Sequence, residues 1–248
     1  MMFPITRLHN IHCTSSDISS VVPHLSPCVY AVLLFDDNDD ILLQGTALAV
    51  SSELLLTYSS IFSESFDPTK LHVTNQPQLL GCTDMFPVEI AAIGRTQIST
   101  LHSIPLPLVS KYDSQNRPVD DLVLLKAASN SLLPCEVTVN PQVSLSTSLL
   151  SAGFTVCYQS PLACCSSTFE NKDSKQIAKY ISTLRGCPRK VVVPFEIRTK
   201  TDEGESITSI SGKECIGAPV FSGIQGECVL IGMVNDCGKD SDFVSVFE

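Results

Sequence analysis

The sequence has few basic residues and no long apolar run. Only 16 of its 248 residues are Lys or Arg, against 26 Asp and Glu, which gives a formal net charge of -10. A nucleic-acid-binding protein must neutralise phosphates with Lys and Arg, so this balance argues against nucleic acid as a partner. No apolar run reaches the roughly 18 residues that cross a bilayer, so we expect no membrane-spanning helix.

Two further absences argue against secretion. The N-terminus has no apolar signal core, and no N-x-S/T glycosylation acceptor occurs anywhere in the chain. The 11 cysteines are odd in number, so pairing them as in a secreted protein leaves one over. We therefore expect an intracellular protein, cytoplasmic or peroxisomal and not secreted, with small buried thiols.

The cysteines show no metal-binding spacing. The C-x-x-C pairs typical of zinc sites are missing from the sequence. We accordingly predict no metal site and no cofactor. A binding protein that responds to metal or redox state through these cysteines stays open as a weaker class, which a thiol count and a zinc measurement would test.

What the chain does contain is the pattern of a β protein. A hydrophobic content of 44% with 17% charged residues is typical of a globular fold. Residues 29–35 and 41–50 are β-favouring runs around residues 36–40, four of which are Asp. This pattern predicts a hairpin with a solvated tip. Further strands are predicted at residues 54–56, 86–93, 122–126, 149–157 and 190–198.

Several segments between these strands are predicted to be loops. The prolines of residues 63–118 suit long connections and do not suit helices. Residues 129–142 have the composition of a linker, and a charged loop is expected after residue 198, through Glu205. Apolar residues spaced three and four apart predict one brief helix at residues 176–184.

The segment from Lys213 to Gly232 carries the most specific pattern. A tight loop with Gly217-Ala218-Pro219-Val220 precedes a strand, a short turn at residues 223–226 and a second strand. This outline resembles the nucleophile loop of trypsin-like serine proteases, in which G-D-S-G-G-P-V precedes a similar hairpin. The resemblance puts Ile216 at the position of the nucleophilic serine, and isoleucine has no hydroxyl to deprotonate.

Two other segments are similar to the same family and occur in its order. The residues Gly45-Thr46-Ala47 and Leu56-Thr57 resemble the family's G-T-G and L-T-A-A-H-C segments, which puts Ser60 where the base histidine should be. A serine hydroxyl cannot shuttle a proton near neutral pH as imidazole does. The run from Asp121 resembles the D-I-A-L-L-K segment, so Asp121 is the one triad-type residue kept.

The resemblance implies an all-β fold of two six-stranded Greek-key β-barrels with little helix. It divides the chain into an N-terminal arm (1–25), a first β-barrel (26–128), an inter-barrel linker (129–142) and a second β-barrel (143–248). The absence of half-cystines beside the histidine and serine loops, where Ile61 and Gly212 stand, is more similar to the intracellular, HtrA-like branch. The chain also resembles the degenerate N-terminal half of peroxisomal leader-peptide-processing proteases.

The function expected from these residues is binding without catalysis. The degenerate triad positions Ser60, Asp121 and Ile216 predict an inactive protease homologue that holds a protein or peptide segment in its inter-barrel cleft. An active protease subunit is one such partner, whereas nucleic acid and membrane are not expected. The alternative is a processing endopeptidase whose active half lies outside this chain. Cys215 neighbours the nucleophile position, but using it would spoil the Gly217 register and would still leave no base.

Overall fold

The computed structural model describes a set of segments that covers most of the predicted strands. These are residues 27–37, 41–62, 65–76, 79, 83–107, 122–128, 131–134, 138–139, 149–157, 187–200, 203–207, 216–224, 227–237 and 242–246. The predicted N-terminal arm, the helix predicted at residues 176–184, Asp121 and Cys215 lie outside them. None of the helices in these segments is long and apolar enough to cross a membrane.

The first half of the chain forms a closed barrel of six strands, as the sequence predicts. Around the barrel the strands follow the order β1-β2-β3-β6-β5-β4, and every neighbouring pair is antiparallel. The strands are β1 (Val29–Phe35), β2 (Ile41–Ala49), β3 (Leu54–Tyr58), β4 (Leu71–Thr74), β5 (Phe86–Ile93) and β6 (Leu122–Ala127).

The barrel is filled by the aliphatic residues of these strands. Residues 29–33 of β1 and 47–49 of β2 are fully buried, and so are Leu55, Leu56 and Leu124. β1 is buried along five consecutive residues because one face lines the barrel while the strand also contacts β8 (Leu149–Cys157) of the second sheet. A continuous apolar run is what a strand covered on both faces requires.

The second half of the chain forms a sheet of seven strands. Their order is β11-β8-β9-β10-β13-β12-β7, with an additional pairing between β11 and β12. Besides β8, the strands are β7 (Thr138–Val139), β9 (Cys187–Lys200), β10 (Glu203–Ile207), β11 (Pro219–Ile224), β12 (Glu227–Cys237) and β13 (Asp242–Val246). Neighbours are antiparallel except for β7, which runs parallel to β12.

Two sequence predictions for the connections are wrong, and the segment predicted as a linker contains a short strand. The charged segment through Glu205 is not a loop, because residues 203–207 form β10 between β9 and β13. The predicted linker contains β7 at residues 138–139. A short helix, α1 (Arg95–Leu101), lies in the proline-rich region for which no helix was predicted.

Each miss has a physical reason. β10 has the sequence Glu-Gly-Glu-Ser-Ile, in which backbone pairing on both sides replaces an apolar pattern. α1 spans seven residues and buries only Ile98, so no 3.6-residue period can be read from it. The last hairpin is also tighter than predicted, since β11 continues to Ile224 and places Gly223 inside the strand.

Candidate functional site

The loop after β3 holds the position predicted for the general base. β3 ends at Tyr58 and a single 3₁₀ turn, Ser59–Ile61, follows it. Ser60 is exposed at this turn, while the next side chain, Ile61, is 6% exposed and points into the barrel core. The buried Ile61 therefore anchors a turn that presents Ser60 to solvent.

Ile61 packs against a glycine of β2. A Cβ atom added to Gly45 would lie 2.6 Å from Cγ2 of Ile61, which is closer than van der Waals contact allows. Gly45 stands next to an irregularity in the pairing of β1 with β2, between Val32 and Leu33. A glycine inside a strand commonly marks such a close approach.

The loop predicted to carry the nucleophile lies against the neighbouring residue of β2. The backbone N–H of Thr46 donates to the carbonyl oxygen of Ile216 at 2.9 Å. The N–H of Gly217 donates to the carbonyl oxygen of Val234 at 2.8 Å, and the N–H of Val234 returns a bond to the carbonyl of Ala218 at 2.8 Å. These bonds fix residues 216–218 between β2 of the barrel and β12 of the second sheet.

Gly217 has a backbone conformation that only glycine adopts easily. Its φ is 90°, and a Cβ atom at this position would lie 1.8 Å from the carbonyl oxygen of Thr46 and 2.7 Å from Oγ1 of Thr57. The Thr57 hydroxyl itself donates to that carbonyl of Thr46 at 2.7 Å, in a fully buried position. Thr46 therefore accepts from β3 and donates to the loop at Ile216.

Thus Gly45 and Thr46 separate the two predicted site loops. Ile61, next to Ser60, packs on Gly45, and Ile216 is bonded to Thr46. Asp121 lies outside the described residues. The residue that follows it, Leu122, begins β6 and pairs with Tyr58 at the end of β3.

The side chain at the predicted nucleophile position is buried. Ile216 is 3% exposed and belongs to the same apolar cluster as the strands of the first barrel. An aliphatic group there has no proton to transfer and no lone pair with which to attack. Its burial also removes this position from contact with solvent or with a carbonyl group of a bound peptide.

The two histidines of the described segments do not take over the role of a base beside Ser60. His72 lies on β4, which is three strands away from β3 in either direction around the barrel. Its ring packs edge-on against Phe35, and its Nδ1 lies 3.2 Å from the carbonyl oxygen of Lys70. His102 follows the last residue of α1, and its backbone N–H bonds to Ile98.

The shifted pKa values belong to other parts of the barrel. Burial raises the pKa of Tyr30, against a smaller lowering by the hydrogen bond from the N–H of Leu133. Hydrogen bonds from the hydroxyl and the N–H of Thr69 lower the pKa of Asp67, which is fully exposed. Neither group involves Ser60 or Ile216, so these shifts give no sign of an activated acid or base in the two loops.

The sequence motifs predicted the loops at Ser60 and Ile216 but not the hydrogen bonds that Thr46 makes. Thr46 and Thr57 were matched as members of a pattern, and their buried hydrogen bond was not predicted. The sequence did contain one signal for this hydrogen bond. Thr57 follows the apolar run Leu54-Leu55-Leu56, and a hydroxyl that is buried with such a run needs a hydrogen-bond partner. The left-handed conformation of Gly217 is likewise what a glycine before Ala-Pro at a strand start permits.

This architecture has counterparts among solved structures. The active form of the Rv3671c protease from M. tuberculosis matches with a TM-score of 0.53 at 12% sequence identity, over 98% of this chain and 85% of that chain. An inactive mutant form of the same protein matches at 0.49 and 13%, over 91% and 85%. Human heparin binding protein matches at 0.49 and 14%, over 90% and 87%.

The comparison with the active protease shows the fold alone. The closed six-stranded barrel, the mostly β content and the little helix agree with a chymotrypsin-like fold, as the sequence motifs predicted. A scan against protein-family models and a search of curated protein sequences give no match. What the chain does must therefore be argued from its own residues.

Proposed function

We propose that this protein is a catalytically inactive trypsin-like serine protease homologue, a pseudoprotease, that binds a peptide or a segment of another protein. The observation that carries the proposal is the burial of Ile216 at the predicted nucleophile position, 3% exposed and bonded through its backbone to Thr46. Acyl transfer requires a group that loses a proton and attacks a carbonyl, and an aliphatic side chain can do neither.

The predicted base position supports the same conclusion. Ser60 is exposed, and a hydroxyl does not accept a proton near pH 7. His72, on the opposite side of the barrel, is held by contacts with Phe35 and Lys70. A protease that has lost its triad retains at most about 10³–10⁴-fold catalysis over water, and only where its oxyanion hole survives.

The binding part of the proposal rests on what this fold offers once catalysis is gone. The proposal includes a second six-stranded barrel, for which the extra pairing of β11 with β12 is the supporting observation. Two barrels of this kind enclose a cleft, and strand edges along a cleft can add an extended peptide through backbone hydrogen bonds. The bound segment belongs to a peptide or a protein partner, with an active protease subunit as one form of it.

Inactivity is tested with a fluorophosphonate probe and a mixture of fluorogenic peptides on the purified chain. We expect neither labelling nor cleavage above a buffer blank. Trypsin serves as the positive control for both assays. Labelling of the wild-type chain that disappears when one Ser or Cys is replaced would overturn the inactive assignment.

Binding is tested with peptides selected by display against the folded chain and then titrated by calorimetry. If the segment lies along the turn that carries Ser60, the Ser60→Arg variant weakens its binding at least tenfold. The matched control is Ser99→Arg, which puts the same side chain at another exposed serine, on α1. Equal affinity of both variants would place the partner elsewhere, and failure to select any peptide would contradict the binding role.

A processing endopeptidase is the second candidate function. Gly45-Thr46-Ala47 and the absence of half-cystines at Ile61 and Gly212 favour the HtrA-like branch and a relation to peroxisomal processing proteases. On this proposal the chain is the degenerate part of a longer intracellular protein. Translation of the coding sequence downstream of residue 248 tests it, since a second block with intact His, Asp and Ser motifs is expected there.

A further inference from the structure

Two cysteines lie directly opposite each other in the second sheet. β8 and β9 pair antiparallel over nine residues, from Leu149 opposite Phe195 to Cys157 opposite Cys187. Both cysteines stand at the last pair of this ladder, where the chain leaves β8 and where it enters β9. Directly opposite residues of an antiparallel pair lie on the same face of the sheet.

The spacing that this register implies fits a disulfide bond. The Cα atoms of directly opposite residues are about 4.5 or 5.5 Å apart, and disulfides join Cα atoms that are about 4.4–6.8 Å apart. Pro188, opposite Val156, has no N–H and cannot belong to a hydrogen-bonded pair. The pairs alternate along the ladder, so Cys157 and Cys187 fall in the wider class, near the commonest disulfide spacing of about 5.5–6 Å.

The same register distinguishes this pair from the other cysteines of the described strands. Cys228 of β12 lies opposite Gly223 of β11, and Cys237 lies opposite Asp242 of β13. Neither has a cysteine as its cross-strand neighbour. Among the described strands, backbone pairing thus brings together one pair of cysteines. Cys228 and Cys237 on β12 serve as controls, because neither lies opposite another cysteine.

We propose that Cys157 and Cys187 form a thiol-oxidation site, at which a small disulfide such as oxidised glutathione converts the two thiols into a cross-strand disulfide bond. The thiolate of one cysteine attacks a glutathione sulfur, the S–S bond breaks, and one glutathione leaves as a thiolate that takes up a proton. The second cysteine then attacks the mixed disulfide and releases the second glutathione. The protein pair is oxidised by two electrons and the glutathione disulfide is reduced.

The bond would join the two ends of the segment of residues 158–186. Such a bond acts by restricting the chain in its unfolded ensemble. The ladder places the two Cα atoms at a suitable spacing, and a shift of about 1 Å at the strand ends brings the Cβ atoms of this hydrogen-bonded pair from about 5.5 Å to the roughly 3.5–4.5 Å of a disulfide. The sequence alone predicted reduced cysteines throughout, because 11 thiols without a recognisable spacing give no reason to select two. The pairing register supplies that reason, and it does so independently of the proposed binding function.

The test uses the full chain, equilibrated with reduced and oxidised glutathione at a series of ratios, then acidified, alkylated and mapped by tandem mass spectrometry. We expect the wild-type chain to lose two alkylatable thiols together and to yield a peptide that joins Cys157 to Cys187. Cys228→Ser and Cys237→Ser should yield the same linked peptide. Cys157→Ser should lose it and carry one glutathionyl group on Cys187, because no second thiol resolves the mixed disulfide.

A second measurement separates pairing by the sheet from simple proximity along the chain. In urea that unfolds the protein, the ladder is gone, so the linked peptide should need a glutathione ratio at least tenfold more oxidising. Formation of the bond at the same ratio in urea would overturn the proposal. So would a folded chain in which Cys157 or Cys187 links mainly to Cys164 or Cys165, or in which both stay alkylatable at the most oxidising ratio.

Discussion

Gly217 lies in close contact with the β2 backbone of the barrel. Its φ of 90° and the carbonyl oxygen of Thr46, 1.8 Å from where a Cβ would stand, leave room only for hydrogen. The atom that blocks the space belongs to the backbone of β2, which is fixed by its pairing with β1. A side chain at this position therefore separates the loop from the barrel and breaks the bond from Thr46 to Ile216.

Gly217→Ala should consequently destabilise the fold by more than about 4 kcal/mol, at the upper end of single substitutions. Gly45→Ala is the matched control, because its clash is with the side chain of Ile61, 2.6 Å away. We expect a loss of about 1–3 kcal/mol for Gly45→Ala as overpacking. Its combination with Ile61→Ala should lose less than the sum of the losses of Gly45→Ala and Ile61→Ala alone. Urea unfolding of the four variants measures this. A Gly217→Ala protein as stable as wild type would contradict the close approach.

Substitutions of Ile216 test the burial of the predicted nucleophile position. Ile216→Ser removes most of a side chain that is 3% exposed and introduces a buried hydroxyl, so we expect a loss of about 2–5 kcal/mol. Ile216→Val should lose only about 0.5–1.5 kcal/mol. Neither variant should react with a fluorophosphonate, since Ser60 supplies no base. Reaction of Ile216→Ser alone, at a rate comparable with trypsin, would show that a base is present.

A hydrogen bond to the Tyr30 hydroxyl links β1 of the barrel to the segment after β6. The N–H of Leu133 donates to the Tyr30 hydroxyl at 2.9 Å, and Tyr30 is 1% exposed on β1. Burial raises the pKa of Tyr30 above its ordinary value of 10.0. The folded state thus holds the phenolic proton more tightly than the unfolded state does.

The raised pKa of Tyr30 determines how stability changes with pH. Because the folded pKa is raised, the unfolded chain binds fewer protons above pH 10, and stability falls as the pH rises from there toward the folded pKa. Tyr30→Phe removes this contribution. At pH 8 the variant should be about 1 kcal/mol less stable than wild type, because the N–H of Leu133 loses its acceptor. Between pH 9.5 and 11 the stability of the variant should fall by less than that of wild type. An equal loss of unfolding free energy for wild type and variant between pH 9.5 and 11, measured by urea unfolding, would contradict the prediction.

The sequence predicted most strands, and the reasons differ where it did not. Runs such as Val29–Phe35 and Leu122–Ala127 show their burial directly in their apolar residues. β10 pairs with the adjacent strand β9 and with the distant β13, and β7 pairs with the distant β12, so neither strand depends on an apolar pattern of its own. The motifs predicted which two loops hold the candidate site, but the bond between Thr46 and Ile216 spans 170 positions and forms only when the sheets pack together.

The barrel and the second sheet share one apolar core. Phe221 of β11 and Leu230 and Met233 of β12 belong to the same buried cluster as the barrel residues, together with Ile216. Backbone bonds from Thr46 to Ile216 and from Gly217 to Val234 cross the same region. Both halves of the chain therefore depend on one set of contacts, and we expect them to unfold in a single transition.

Phe221→Ala tests this coupling. Phe221 is fully buried, so its truncation should remove about 3–5 kcal/mol. If the core is shared, amide hydrogen exchange should speed up by the same factor in β1 of the barrel and in β12. Leu71→Ala, on β4 across the barrel, is the reciprocal variant and should accelerate exchange in β12 as well as in β1. Acceleration confined to β11 and β12 in Phe221→Ala, with β1 unchanged, would show that the barrel folds without the second sheet, because exchange reports the opening of each cooperative unit separately.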